Sequence, residues 1–158
     1  KILENMCIHK ILENNVIETD FSNADLNNAK FESQNLVFVN FSNADLTHAV
    51  FNKTNFAGCS FDSAILDQVE FSQVELSYNN FEYVEMRNFE INNSWLQNIS
   101  FKNSNMQEGS INGSFFFNVD FKNADLNKTK IDSNIHSVQV SHFESVNLKC
   151  KNNLICIK

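Results

Sequence analysis

From Phe21 to Ile131, every fifth residue is apolar: Phe21, Leu26, Phe31, Leu36, Phe41 and so on, through Phe121, Leu126 and Ile131, for twenty-three consecutive positions. A helix repeats its faces every 3.6 residues and a strand every 2, so neither explains a strict period of five. A period of five means that a new structural unit begins with each quintet, and such repeats take precedence over element-by-element assignment.

A second apolar column lies two residues before the first. It is mostly small, with Ala24, Ala29, Ala44, Ala49, Cys59, Ala64, Ser94, Ser104, Gly109, Ser114 and Ala124, and Val at positions such as Val39, Val69 and Val119. The three remaining places of each quintet are largely Asn, Ser, Asp, Glu, Gln and Lys. Large beside small at fixed spacing fills a narrow core without voids.

Sorting the large column by twenties separates four sets. Phe21, Phe41, Phe61, Phe81, Phe101 and Phe121 are all Phe; Leu26, Leu46, Leu66, Met86, Met106 and Leu126 never are. Phe31, Phe51, Phe71, Ile91, Ile111 and Ile131 form a third set, and Leu36, Phe56, Leu76, Leu96 and Phe116 a fourth. Four quintets therefore make one coil, and residues twenty apart stack at the strand-pairing distance of about 4.8 Å. The pattern predicts an all-β coil with four sides. One residue tests the register: Phe89 falls in the small column, and the next coil offers Gly109 there. The Phe89 ring is expected to point inward and fill the space Gly109 leaves.

Composition fits this reading. The chain has no Pro, only three Gly and sixteen Phe. Without Pro, nothing removes a backbone donor from a long ladder. The formal charge is −7 over 158 residues, which disfavours direct nucleic-acid binding through a basic patch. No apolar run is long enough to span a membrane as a helix. The four cysteines (Cys7, Cys59, Cys150, Cys156) lack metal-binding spacing and are expected to be reduced packing residues, which points to a reducing compartment. No cofactor and no metal are expected.

The motif Ala-Asp-Leu followed by two polar residues, at Ala24–Asn28, Ala44–His48 and Ala124–Lys128, resembles the pentapeptide-repeat family, and the resemblance runs from Thr19 to Asp132. It implies a right-handed quadrilateral β-helix with four pentads per coil and terminal capping segments. The expected organisation is an N-terminal cap over 1–15, helical in pattern, a β-helix over 16–135, and an irregular last coil with a C-terminal cap over 136–158. Past Ile131 the register breaks: His136 falls on a core position, and the pattern resumes two residues out of phase at Val138, Phe143 and Leu148, with Val146 as small partner. The first residue, Lys1 rather than Met, suggests a processed or excised piece of a larger protein.

Candidate chemistry is sparse. Asp25, Asp45, Glu85 and Asp125 stack in an acidic column on the second side. Paired carboxylates can do acid–base work, but these lie on a convex surface and read as the solvated position of the repeat. His9, His48, His136 and His142 form no arrangement with a nucleophile, and there is no Gly-rich phosphate loop. The chain reads as non-enzymatic.

Its most informative feature is an outward apolar cluster on the fourth side: Ile17, Val37, Phe38, Ala57, Tyr78, Trp95, Phe115, Phe117 and Ile135. The other three sides expose little beyond Val50, Ile65 and Tyr83. A one-sided aromatic patch on a polar rod has the composition of an interface. Val37, Phe38, Tyr78, Trp95, Phe115 and Phe117 are accordingly the expected partner-binding residues. The partner would be another protein, another domain of the same protein, or a second copy of the chain; a terminal segment folding over that side is the competing reading.

Three functions follow. The resemblance implies a protein-interaction or scaffold module, since pentapeptide repeats occur in bacterial effectors delivered into host cells; the expected location is then the bacterial or the host cytoplasm. Some members protect DNA gyrase or topoisomerase IV from drugs by mimicking DNA, which is the alternative. Against it, six coils span about 29 Å, over which duplex DNA carries roughly 17 charges, more than this chain's −7. The unbroken register also leaves no room for the projecting loops of many quinolone-resistance members. The third reading is a structural, self-associating rod.

Overall fold

The computed structural model describes residues 14–140 and 147–148, with side chains as far as Asp132. Twelve parallel strands form a single sheet wound into a coil: β1 (Asn15–Ile17), β2 (Lys30–Glu32), β3 (Asn35–Val37), β4 (Val50–Asn52), β5 (Asn55–Ala57), β6 (Glu70–Ser72), β7 (Glu75–Ser77), β8 (Glu90–Asn92), β9 (Trp95–Ser100), β10 (Ser110–Phe121), β11 (Lys130–Val140) and β12 (Asn147–Leu148). No helix forms among the described residues. Each strand pairs with the one a coil later, as in Val16 with Leu36, Leu36 with Phe56 and Phe31 with Phe51, always twenty residues apart up to β10. This is the four-sided parallel solenoid that the period of five implies.

Two sides carry the three-residue strands. The third side holds β2, β4, β6, β8 and the start of β10; the fourth holds β1, β3, β5, β7, β9 and the later part of β10. The first and second sides are joined instead by single bridges, such as Asp20 to Asn40 and Asp25 to Asp45.

Every corner is made the same way. Each fifth residue from Glu18 to Lys128 has a left-handed backbone, with φ between 49° and 63°. An ordinary L-residue pays about 1–2 kcal/mol for that conformation, and Asn and Gly much less. Asn accordingly occupies nine of these corners and Gly two, Gly58 and Gly113. At most corners of the first and second sides the turn closes with a backbone hydrogen bond to the residue three earlier, as from Ala44 N to Phe41 O at 3.0 Å and from Ala49 N to Leu46 O at 2.9 Å. With the left-handed residue third in the turn, this is the arrangement of a type II turn.

The corners of the third and fourth sides lack that bond, and polar members of the small column supply a partner in its place. Val74 N donates to Ser94 Oγ (3.2 Å), Ser94 N to Ser114 Oγ (3.1 Å), and Cys59 N to Asn79 Oδ1 (2.8 Å). The same side chains, with Thr54, donate to main-chain carbonyls: Thr54 Oγ1 to Phe31 O at 3.2 Å, and Asn79 Nδ2 to Phe56 O at 3.3 Å. Ser and Asn thus enter a dry core where a buried amide needs an acceptor, and Thr54 where carbonyls accept its hydroxyl.

The large column fills the interior. The first-side Phe rings stack at 5.5, 4.9, 4.4, 5.0 and 5.2 Å from Phe21 through Phe121, and third-side Phe31, Phe51 and Phe71 at 4.7 and 4.9 Å. Rings from opposite sides meet edge-on across the interior, as Phe51 and Phe61 do at 6.5 Å and 90°. Both arrangements suit the aromatic quadrupole. Phe89 is buried, as its place in the small column required. A Cβ on Gly109 would lie 2.6 Å from Phe89 Cζ, and nearer still to Cε1 and Cδ1.

The last described coil departs from the twenty-residue step. Asn112 pairs with Asp132, but Phe115 pairs with Asn134, so one residue has been lost between them. The slip corrects the expected phase. Ile135 sits at the register of the inward Phe116 rather than among the outward positions, and His136 at that of the outward Phe117. Val138 is opposite Val119, a small-column residue. Pairing with β10 continues to Val140, and Leu148 stands opposite Ile131. The expected N-terminal helical cap over 1–15 falls outside the described residues up to Glu13, as do Phe143 and Val146.

Two outcomes test this packing. Gly109→Ala should destabilise the coil by about 1–3 kcal/mol through overpacking, and the penalty should vanish in a Phe89→Ala background; urea denaturation of the four chains of the double-mutant cycle measures the coupling. Cys59 donates from Sγ to Leu36 O at 3.2 Å, and burial pushes its thiol up to about 11. With Cys7→Ser, Cys150→Ser and Cys156→Ser in place, Cys59 should resist a thiol reagent at pH 8 until the chain unfolds; rapid labelling of the native protein contradicts this.

Candidate partner-binding face

The acidic column of the second side is the first candidate, and its geometry gives it a structural task. Asp25, Asp45 and Asp125 each accept the backbone N–H two residues on, from Asn27 (3.2 Å), Thr47 (3.0 Å) and Asn127 (2.9 Å). Asp20 does the same for Ser22 at 2.9 Å, and that N–H, chief among its contacts, holds the Asp20 carboxyl below the usual carboxylate range. The Asp of the motif caps its own turn. Ile65 and Asn105 interrupt the column. Among the described residues, no group of three His, Cys, Asp or Glu could hold a metal ion, and no helix is long and apolar enough to cross a membrane.

The fourth side is different. Its strands present three outward columns: Asn15, Asn35, Asn55, Glu75, Trp95 and Phe115; then Ile17, Val37, Ala57, Ser77, Gln97 and Phe117; then the corner residues Glu18, Phe38, Gly58, Tyr78, Asn98 and Asn118. The first column begins as a ladder of amides, Asn35 Nδ2 to Asn15 Oδ1 and Asn55 Nδ2 to Asn35 Oδ1, both 2.9 Å. It ends as a stack of rings, with Trp95 and Phe115 4.1 Å apart.

Phe38, Tyr78, Trp95 and Phe117 are exposed by 63, 69, 47 and 45%; Val37 and Phe115 are half-buried. The register gathers the expected residues into two groups. Val37, Phe38 and Tyr78 lie towards the N-terminal coils, with Ile17 and Ala57. Trp95, Phe115 and Phe117 lie towards the C-terminal coils. Glu75, Ser77 and Gln97 separate the groups. Sequence reasoning missed Glu75, although its signal is plain: it stands twenty residues before Trp95. It also missed Gly58, over which the Phe38 ring lies so closely that a Cβ there would meet Cδ1 at 2.6 Å. Elsewhere, Ile65 and Tyr83 are exposed singly, as expected of any surface.

Phe38 (φ 53°) and Tyr78 (φ 57°) occupy left-handed corners, as Tyr83 (φ 58°) does on the first side, where a bulky ring is a strained choice. Neither burial nor backbone preference accounts for an aromatic at these places. Beside Tyr78, where the fourth side meets the first, a shallow groove of about 430 Å³ is lined by Asn98, Asn118, Ser100, Glu82 and Asp120. Lys102 stands between two of these carboxylates, 3.6 Å from Glu82 and 3.5 Å from Asp120.

Known proteins share this architecture. The family model described as pentapeptide repeats matches residues 15–52 and 54–89, in eight copies. No curated protein matches the chain by sequence. Among solved structures, a trypsin-treated form of QnrB1, a plasmid-mediated fluoroquinolone resistance protein, is 16% identical, with a TM-score of 0.54 over 85% of this chain and 78% of that one. A second trypsin-treated form is 18% identical, with the same TM-score over 85% and 76%. A pentapeptide repeat protein from the thylakoid lumen of Arabidopsis thaliana is 20% identical, with a TM-score of 0.41 over 73% and 63%. The family match identifies residues 15–89 as pentapeptide repeats, and the twenty-residue register carries the same parallel β-solenoid on into β10.

Proposed function

We propose that this rod is a non-enzymatic protein-binding module that docks through its fourth side. The observation that carries the reading is the aromatic content of that side: exposed Phe38 and Tyr78 on strained corners, and the stacked pair Trp95–Phe115 beside Phe117. Trp and Tyr are frequent interface anchors, because they bury large area at low entropic cost. The rest of the rod is a polar scaffold that fixes their spacing.

The alternative is action on a type II topoisomerase by imitation of DNA, which the fold likeness to QnrB1 brings to mind. The charge pattern supports it less. Four of the acidic residues are neutralised across coils, Asp67 by Arg87, Glu108 by Lys128, and Glu82 and Asp120 by Lys102. A duplex presents an uninterrupted anionic field.

The joint substitution Trp95→Ala and Phe117→Ala distinguishes the two. Each anchor residue contributes on the order of 2 kcal/mol or more at an interface. The double variant should therefore keep its strand signal in circular dichroism and its melting behaviour, yet lose self-association or partner binding in sedimentation velocity and affinity measurements. DNA supercoiling by purified gyrase should be unaffected by either chain. Inhibition of gyrase that survives the double substitution would favour the DNA-mimic reading instead.

A further inference from the structure

Charge is distributed unevenly around the coil. The stretches that build the fourth side, 14–20, 34–40, 54–60, 74–80, 94–100 and 114–120, contain neither Lys nor Arg. They contain Glu18 and Glu75, with Asp20 and Asp120 at the border. Every described Lys and Arg lies on the other three sides. The exposed aromatic surface is therefore also the surface without cations.

At its centre the two properties meet. Trp95 has Phe115 stacked on it from the following coil, at 4.1 Å with planes 26° apart. The equivalent place one coil back belongs to Glu75, which is exposed and in register with Trp95. Glu75 enters none of the ion pairs among the described residues. Trp95 Nε1 donates to Gln97 Oε1 at 3.4 Å, which ties the indole edge to its own strand. The result is an indole supported from behind, with a carboxylate one strand spacing in front.

We infer that this side receives a cationic, arginine-bearing segment of a partner protein, with one guanidinium stacked on the Trp95 indole face away from Phe115 and its N–H edge turned to the carboxylate of Glu75. The inference rests on the docking role proposed above and names the chemistry of the occupant. A guanidinium is planar and weakly hydrated, stacks on an aromatic face, and offers two parallel N–H groups to a carboxylate. The strand spacing of about 4.8 Å puts both contacts within reach of one side chain. An ammonium supplies the charge without the planar fork, so the seat favours Arg over Lys. Tyr78 and Phe117 extend the aromatic surface along the same segment, and the absence of cations removes any repulsion.

Trp95 is the single tryptophan of the chain, so its emission reports on the seat directly. The probes are blocked Gly–Ser peptides of equal length carrying evenly spaced Arg, Lys or Leu, titrated into the full chain at low and high salt. The Arg peptide should change the emission saturably, bind more tightly than the Lys peptide, and weaken with salt. Glu75→Gln should raise its Kd about ten-fold, the loss of one charge-assisted contact, whereas Glu90→Gln on the third side should leave it unchanged. Equal binding of the Arg and Lys peptides overturns the guanidinium seat, as does indifference to Glu75→Gln. A Leu peptide that binds as well as the Arg peptide overturns the cationic partner while the docking face stands. No response to any peptide also overturns the inference, and the Trp95 and Phe117 double variant then judges the docking role on its own.

Discussion

Everything in this molecule follows from a backbone that turns a corner once in every five residues. The left-handed residue at each corner converts what would be a flat parallel sheet into four narrow walls. Because the corner recurs on a fixed count, the four walls close after twenty residues and the ladder pairs each coil with the next. Side chains then have few choices. Of five places, two face a narrow interior and three face water, and the interior can hold one large and one small residue per wall. The regular spacing of Phe is the consequence of that geometry.

The constraint also explains why polar residues serve so many structural purposes here. Asp of the motif satisfies a turn amide on the first and second sides. Ser, Thr and Asn reach buried amides and carbonyls at the corners of the third and fourth. Asn takes the left-handed corners and, on the outside, links amide to amide down the columns. Surface composition that would suggest chemistry in another fold is mostly the price of closing corners. What remains unexplained by that demand is the informative residue: an aromatic on a strained, exposed corner, or a carboxylate with no amide to cap.

The fold was legible in the sequence because its signal is arithmetic. The inward column, the stacking of Phe21 under Phe41, and the burial of Phe89 against Gly109 all follow from counting by five and by twenty. The left-handed corners were not legible as such. The abundance of Asn was visible, but a backbone angle has no periodicity distinct from that of the side chains it carries. The last coil failed for a related reason: a single lost residue between Asn112 and Phe115 of β10 and their partners reassigns Ile135, His136 and Val138 together, and pattern alone places such a slip poorly. For the candidate face, outward positions could be sorted to the right wall. The division into two aromatic groups, and the position of Glu75 against Trp95, needed the columns set side by side.

Phe89 and Gly109 carry a meaning beyond tight packing. A chain of near-identical coils faces a hazard in folding, because any coil can dock on the wrong neighbour and still bury rings against rings. An oversized side chain that finds room only beside a missing one acts as a key cut for one lock. Skipping a coil would drive Phe89 against Thr129, or set Gly109 beside Val69 with its space unfilled. One irregular pair thus gives an otherwise repetitive chain an address from which its coils can be counted.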